Sequence, residues 1–117
     1  MKANITAIGS ALELVKSLNG VSFRFRTEEF PEKNLDKKDQ VGFIAQEVEQ
    51  VLPQVVNTFN DGYKGVEYGK ITAVLVEAVK QQTKEIELLK AALLAQQRET
   101  AEIRAALNKQ KLLPPWD

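Results

Sequence analysis

The spacing of apolar residues changes several times along the chain, and each change marks an element. The opening Lys2-Ala3-Asn4-Ile5-Thr6-Ala7-Ile8, short and with several β-branched residues, is expected to run extended until Gly9. Ser10 followed three residues later by Glu13 reads as a capping box ahead of Leu12, Leu14, Val15 and Leu18, with Asn19-Gly20 as a left-handed stop, predicting a helix over roughly 11–18. Val21, Phe23 and Phe25 then alternate with Ser22, Arg24 and Arg26, the period of two that buries one face of a strand. Thr27 to Gln40 is dominated by charge and interrupted by Pro31, a composition that buries little surface and predicts a flexible loop.

Helical spacing returns at Phe43, Ile44, Val48, Val51 and Leu52, with Gln46, Glu47, Glu49 and Gln50 opposite, and Pro53 ends the pattern. Val55–Phe59 and Gly65–Tyr68, joined through Asn60-Asp61-Gly62-Tyr63, read as a hairpin, because Asn-Asp-Gly tolerates the positive φ that tight turns need. The pattern over 1–68 is therefore that of a small α+β unit of short helices and a few antiparallel strands.

From Gly69 to residue 113 no proline occurs and good helix formers dominate, predicting one helix of about 67 Å. Steps of four and three from Leu75 pick out Leu75, Val79, Gln82, Ile86, Leu89, Leu93, Gln96, Thr100, Ile103, Leu107 and Gln110. With Leu75 at d, Val79, Ile86, Leu93, Thr100 and Leu107 fall at a. Glu85 and Glu99 then occupy g, and Lys90 and Arg104 occupy e five residues later, which pairs charges between neighbouring parallel helices. A small unit cannot cover a seam of this length by folding the helix back, so several copies must cover it for one another. Glutamines at d lower stability and fix register. The mixed a and d residues discriminate weakly between two and three strands. Residues 114–117 form a tail, in which Trp116 is placed to cap the bundle end.

Composition narrows the chemistry. The 16 basic and 16 acidic residues cancel, leaving no net field to attract nucleic acid, and no apolar run reaches the about 20 residues that span a bilayer. Without cysteine or histidine there is no disulfide, thiolate, imidazole base or soft-metal site; no metal and no cofactor is expected. The start of the chain lacks a signal-peptide pattern, so synthesis inside the cell is expected.

In order, Lys2-x-Asn4-Ile5, Leu18-Asn19-Gly20-Val21-x-Phe23, Gly42-Phe43-Ile44-Ala45-Gln46-Glu47-Val48, Leu52-Pro53, Asp61-Gly62-Tyr63-Lys64-Gly65-Val66-Glu67-Tyr68 and Leu75-Val76-Glu77-Ala78-Val79-Lys80 span nearly the whole chain. This series resembles the C-terminal intramolecular chaperone domain of endosialidases and other phage tailspike and tail-fibre proteins, found also as a self-cleaving domain in myelin regulatory factor. The resemblance implies a homotrimer that brings upstream fibre chains into register in the host cytoplasm, followed by release through a serine-lysine pair, leaving the fibre on the virion. Aligned on Asn4-Ile5, the family's lysine falls at Lys2. The serine, five residues earlier, would precede Met1, so the chain alone is expected not to cleave itself. A desolvated lysine beside a serine has a lowered pKa and accepts the hydroxyl proton without histidine. Gln46 and Glu47 are candidate supports for that pair, although their places on a wet helix face already account for them. Ser10 is explained by its cap, and Tyr63 and Tyr68 by hairpin packing. Two other readings remain: a retained, non-cleaving trimerisation tip, or a receptor-contacting head that binds through Thr27–Gln40. A turnover enzyme is the weakest reading, for want of histidine, cysteine and a phosphate loop.

Overall fold

A computed structural model describes residues 1–112, with side chains through residue 110. The tail, including Trp116 and its expected cap, lies outside the described residues. The elements in order are α1 (Ala11–Lys16), β1 (Val21–Phe23), β2 (Gln40–Gly42), α2 (Ala45–Val51), β3 (Val56–Thr58), β4 (Lys64–Val66) and α3 (Tyr68–Leu112). Short 3-10 turns occupy Pro31–Lys33 and Pro53–Val55. The fold is the expected α+β arrangement: short helices, two small antiparallel sheets and a long C-terminal helix.

Several local expectations are corrected. Residues 1–9 contain no strand. The Ser10 capping box does not form, because Ser10 is left-handed (φ 54°, ψ 33°) and its side chain caps nothing. An N-cap needs extended dihedrals to aim its oxygen at the first amides. The helix instead starts from the Leu14 N–H donating to the Ser10 carbonyl at 3.1 Å. At its other end Ser17 is right-handed, and neither Asn19 nor Gly20 takes positive φ. The chain leaves through tighter bonds from the Ser17 and Leu18 amides to Leu14 and Val15.

β1 stops at Phe23 and pairs with β2, a strand that was not expected and whose first residue, Gln40, fell at the end of the expected loop: Val21 faces Gly42 and Phe23 faces Gln40. Gly42 makes this possible, since a Cβ there would lie 2.5 Å from the Tyr68 hydroxyl and 3.3 Å from the Phe23 ring. Tyr68 stacks on Phe43 (centroids 5.9 Å apart) and its hydroxyl accepts the Phe43 N–H at 3.3 Å. It is thus the first residue of α3, not the end of a hairpin strand.

β3 and β4 pair with Val56 opposite Val66 and Thr58 opposite Lys64. Gly62 supplies the turn's positive φ of 86°, the Phe59 N–H donates to the Tyr63 carbonyl at 2.8 Å, and the Asp61 carboxylate accepts the Tyr63 N–H. Lys64 reaches Glu49 at 2.7 Å and so ties the hairpin to α2.

One compact unit comprises Met1–Val79 and therefore includes the first turns of α3. Its buried core is Ala11, Val48, Leu52, Val55, Ile71, Val74 and Ala78, with Ile8, Leu12, Val15, Phe43 and Val66 partly buried against it. These are aliphatic side chains with no aromatic among them, and the largest that is fully sealed is Val48. The second unit begins at Lys80 and is the remainder of α3.

Candidate functional site

Within the compact unit α3 presents two faces. Ile71, Val74 and Ala78 recur at i, i+3 and i+7 and are buried, as a helix docked by one stripe requires. Leu75 and Val79, each one residue after a buried position, are 43% and 57% exposed. The same three turns thus complete a core and begin an uncovered apolar row.

Beyond Val79 the row continues exposed among the described residues. Ile86, Leu89, Leu93, Ile103 and Leu107 are all exposed, as are Gln82, Gln96 and Thr100 among them. Among the described residues Glu85, Lys90, Glu99 and Arg104 have no ion pair within the chain, although Glu–Lys pairs form elsewhere at Lys16–Glu13 and Lys70–Glu67. Thr100 turns its hydroxyl back to the Gln96 carbonyl at 2.9 Å, which satisfies it without a partner from outside.

The residues expected to support cleavage sit on different elements. Lys2 is exposed in the irregular N-terminal segment; Gln46 and Glu47 are exposed in the first turn of α2. No hydrogen bond or ion pair joins any of the three to another. Among the described residues no cluster of three or more histidine, cysteine, aspartate or glutamate side chains stands ready for a metal.

A feature that the sequence did not expose is a hollow of about 490 Å³ between the segment after β1 and the hairpin turn, lined by Phe25, Phe30, Phe59 and Tyr63 with Arg24 and Lys33. Phe30 meets Tyr63 edge to face at 5.8 Å, and the Lys33 ammonium lies 4.4 Å from the Tyr63 ring centre. Lys33 also bonds Asp61 at 2.7 Å, and Arg24 pairs with Asp39. The Lys33 hydrogen bond holds the Asp61 carboxyl below its usual range and raises the lysine in turn. The only signal in the sequence was the scatter of aromatics on either side of the charged stretch.

Residues 1–57 match the family model described as Chaperone of endosialidase. The chain is also 33% identical over 93 residues, 77% of its length, to Long tail fiber protein Gp37 of Salmonella phage S16. It spans 12% of the length of that relative. The resemblance read from the sequence is borne out by both findings. No helix among the described residues is long and apolar enough to cross a membrane.

Proposed function

Starting from residues 1–57 as a member of the chaperone-of-endosialidase family, we propose that the chain is a trimerising intramolecular chaperone for a phage fibre or tailspike. The observation that carries this reading is the uncovered row from Leu75 to Leu107, flanked by g-position glutamates and e-position cations with no intrachain partner. Leaving such a row in water is unfavourable, and copies of the same helix cover it while pairing Glu85 with Lys90 and Glu99 with Arg104.

The benefit to a fibre is kinetic. Intertwined β-structure has high contact order, so three chains must meet in register before most native contacts form. A trimeric coil holds the attached chains together at effective concentrations commonly about millimolar for short linkers. The name of the relative, a phage long tail fibre protein, supports a fibre as the client; in this reading assembly takes place in the host cytoplasm and the mature fibre ends on the virion.

Release follows by self-cleavage, with Lys2 as the base that takes the proton of a serine five residues before it. After the coil leaves, the fibre is held by its unfolding barrier alone. The test joins the parent's upstream residues to the chain. Sedimentation equilibrium should give a trimer, and a serine at that spacing should give two fragments that Lys2→Ala prevents. A trimer that stays uncut identifies a retained trimerisation tip; a monomer at micromolar concentration removes the chaperone reading.

A further inference from the structure

The seam contains a tandem repeat. Gln82-x-Lys84-Glu85-x-x-x-Leu89-Lys90-Ala91-Ala92-Leu93-x-x-Gln96 recurs fourteen residues later as Gln96-x-Arg98-Glu99-x-x-x-Ile103-Arg104-Ala105-Ala106-Leu107-x-x-Gln110. Both copies lie in the continuous helix α3 and both are exposed along the seam.

Consider one helix sliding past its neighbours in a parallel bundle. A slip of seven residues sets Gln82 level with Leu89 and Leu89 level with Gln96, burying amides against leucine. It also brings Glu85 to Gln97, and Lys90 to Ala92, so the interhelical ion pairs are lost. A slip of fourteen residues costs far less within the overlap. Glutamine again meets glutamine, Leu89 meets Ile103, Leu93 meets Leu107, and Glu85 finds Arg104 in place of Lys90. The altered layers put Thr100 beside Ile86 and Val79 beside Leu93. The paired layers therefore reject a seven-residue slip and discriminate only weakly against a fourteen-residue one, which the coil itself opposes mainly through the overlap lost at its ends.

Such a slip moves one chain by about 21 Å along the axis. In a strand at about 3.3 Å per residue this is about six residues, enough to misalign any attached β-structure. The compact unit Met1–Val79 lies outside the repeat, and its helical turns bear Leu75 and Val79 on the seam and Ile71, Val74 and Ala78 in the core. We infer that the coil supplies association and rejects the single-heptad error, while the compact unit sets the final register by excluding the fourteen-residue slip. This rests on the trimeric reading above.

The test uses chains in which residues 1–79 are untouched. The protein has no cysteine, so disulfides can be placed at will. A chain lacking residues 80–93 and carrying Ile103→Cys is refolded with a full-length partner bearing either Leu89→Cys or Ile103→Cys. If level compact units decide register, the shortened chain's position 103 is disulfide-linked to position 89 of its partner and not to position 103. Two full-length chains, one Leu89→Cys and one Ile103→Cys, give no mixed disulfide. A chain lacking only residues 80–86 should sort away from full-length chains. The inference is overturned if the shortened chain crosslinks 103 to 103, if the full-length pair forms the mixed disulfide, or if the chain shortened by seven mixes freely. Mass is read in parallel: a monomeric full-length chain would overturn the trimeric reading itself, whatever the crosslinks show.

Discussion

Replacing Ile86 and Leu89 by aspartate tests the seam where it is apolar on successive a and d layers. In the single chain these side chains are 46% and 69% exposed, so a bundle has that much of each left to cover. Full burial of a leucine or isoleucine contributes about 1.5–3 kcal/mol, which scales here to about 1–2 kcal/mol per side chain. Six such side chains in a trimer amount to about 6–12 kcal/mol, or at least four orders of magnitude in the assembly constant at about 1.4 kcal/mol per tenfold. Each aspartate adds the cost of a carboxylate taken from water without a partner. Exposed ion pairs such as Glu85–Lys90, at about 0–1 kcal/mol each, cannot offset this. Sedimentation equilibrium of the double variant should show a monomer. Because the compact unit's core is a handful of aliphatic side chains, circular dichroism and amide exchange should show residues 1–79 losing protection with the coil. A trimer that persists at micromolar concentration would refute the seam. A monomer whose residues 1–79 keep full protection would refute the coil as their folding partner.

Ser10→Gly should raise the melting temperature, by the equivalent of up to about 1 kcal/mol, because the left-handed backbone there strains any residue with a Cβ; a capping serine would give the opposite sign. Gly42→Ala should destabilise by about 1–3 kcal/mol, and Tyr68→Phe in the same chain should restore part of it by removing the nearest clashing atom, as thermal melts of the single and double variants would report. Lys70 and then Asn57 hydrogen-bond Glu67 and lower its pKa, as Lys33 does that of Asp61. Both contributions are present above the ordinary carboxylate range and are lost as pH falls through and below it, so melting temperature should fall on acidification, and less so in Asp61→Asn.

The elements legible in the sequence were those set by local composition. The long helix was bounded by Gly69 and the proline-free run after it, and it begins one residue earlier at Tyr68. The hairpin was announced by Asn60-Asp61-Gly62, and Gly62 takes the expected positive φ. What was missed depends on residues far apart. β2 has no alternation of its own; it exists because Gly42 leaves room under the Tyr68 ring, twenty-six residues away. The capping box failed for a related reason: its residues were right, but the incoming chain holds Ser10 in a conformation from which no cap can be made. At the candidate site the heptad positions could be named in advance because periodicity is a local property. Whether Lys2 has neighbours was not, since residues 1–9 carry no pattern that places them.

The interleaving of Ile71, Val74 and Ala78 with Leu75 and Val79 on one rigid rod gives this protein a splice rule. One residue inserted after Ala78 would rotate everything downstream by about 100°. A foreign trimerising helix can be grafted after Val79, but only if its first apolar layer continues the seven-residue count from Leu75. If the helix assembles as proposed, a graft out of phase sets a continuous bundle against Ile71 in the core, since both cannot be kept on one straight helix.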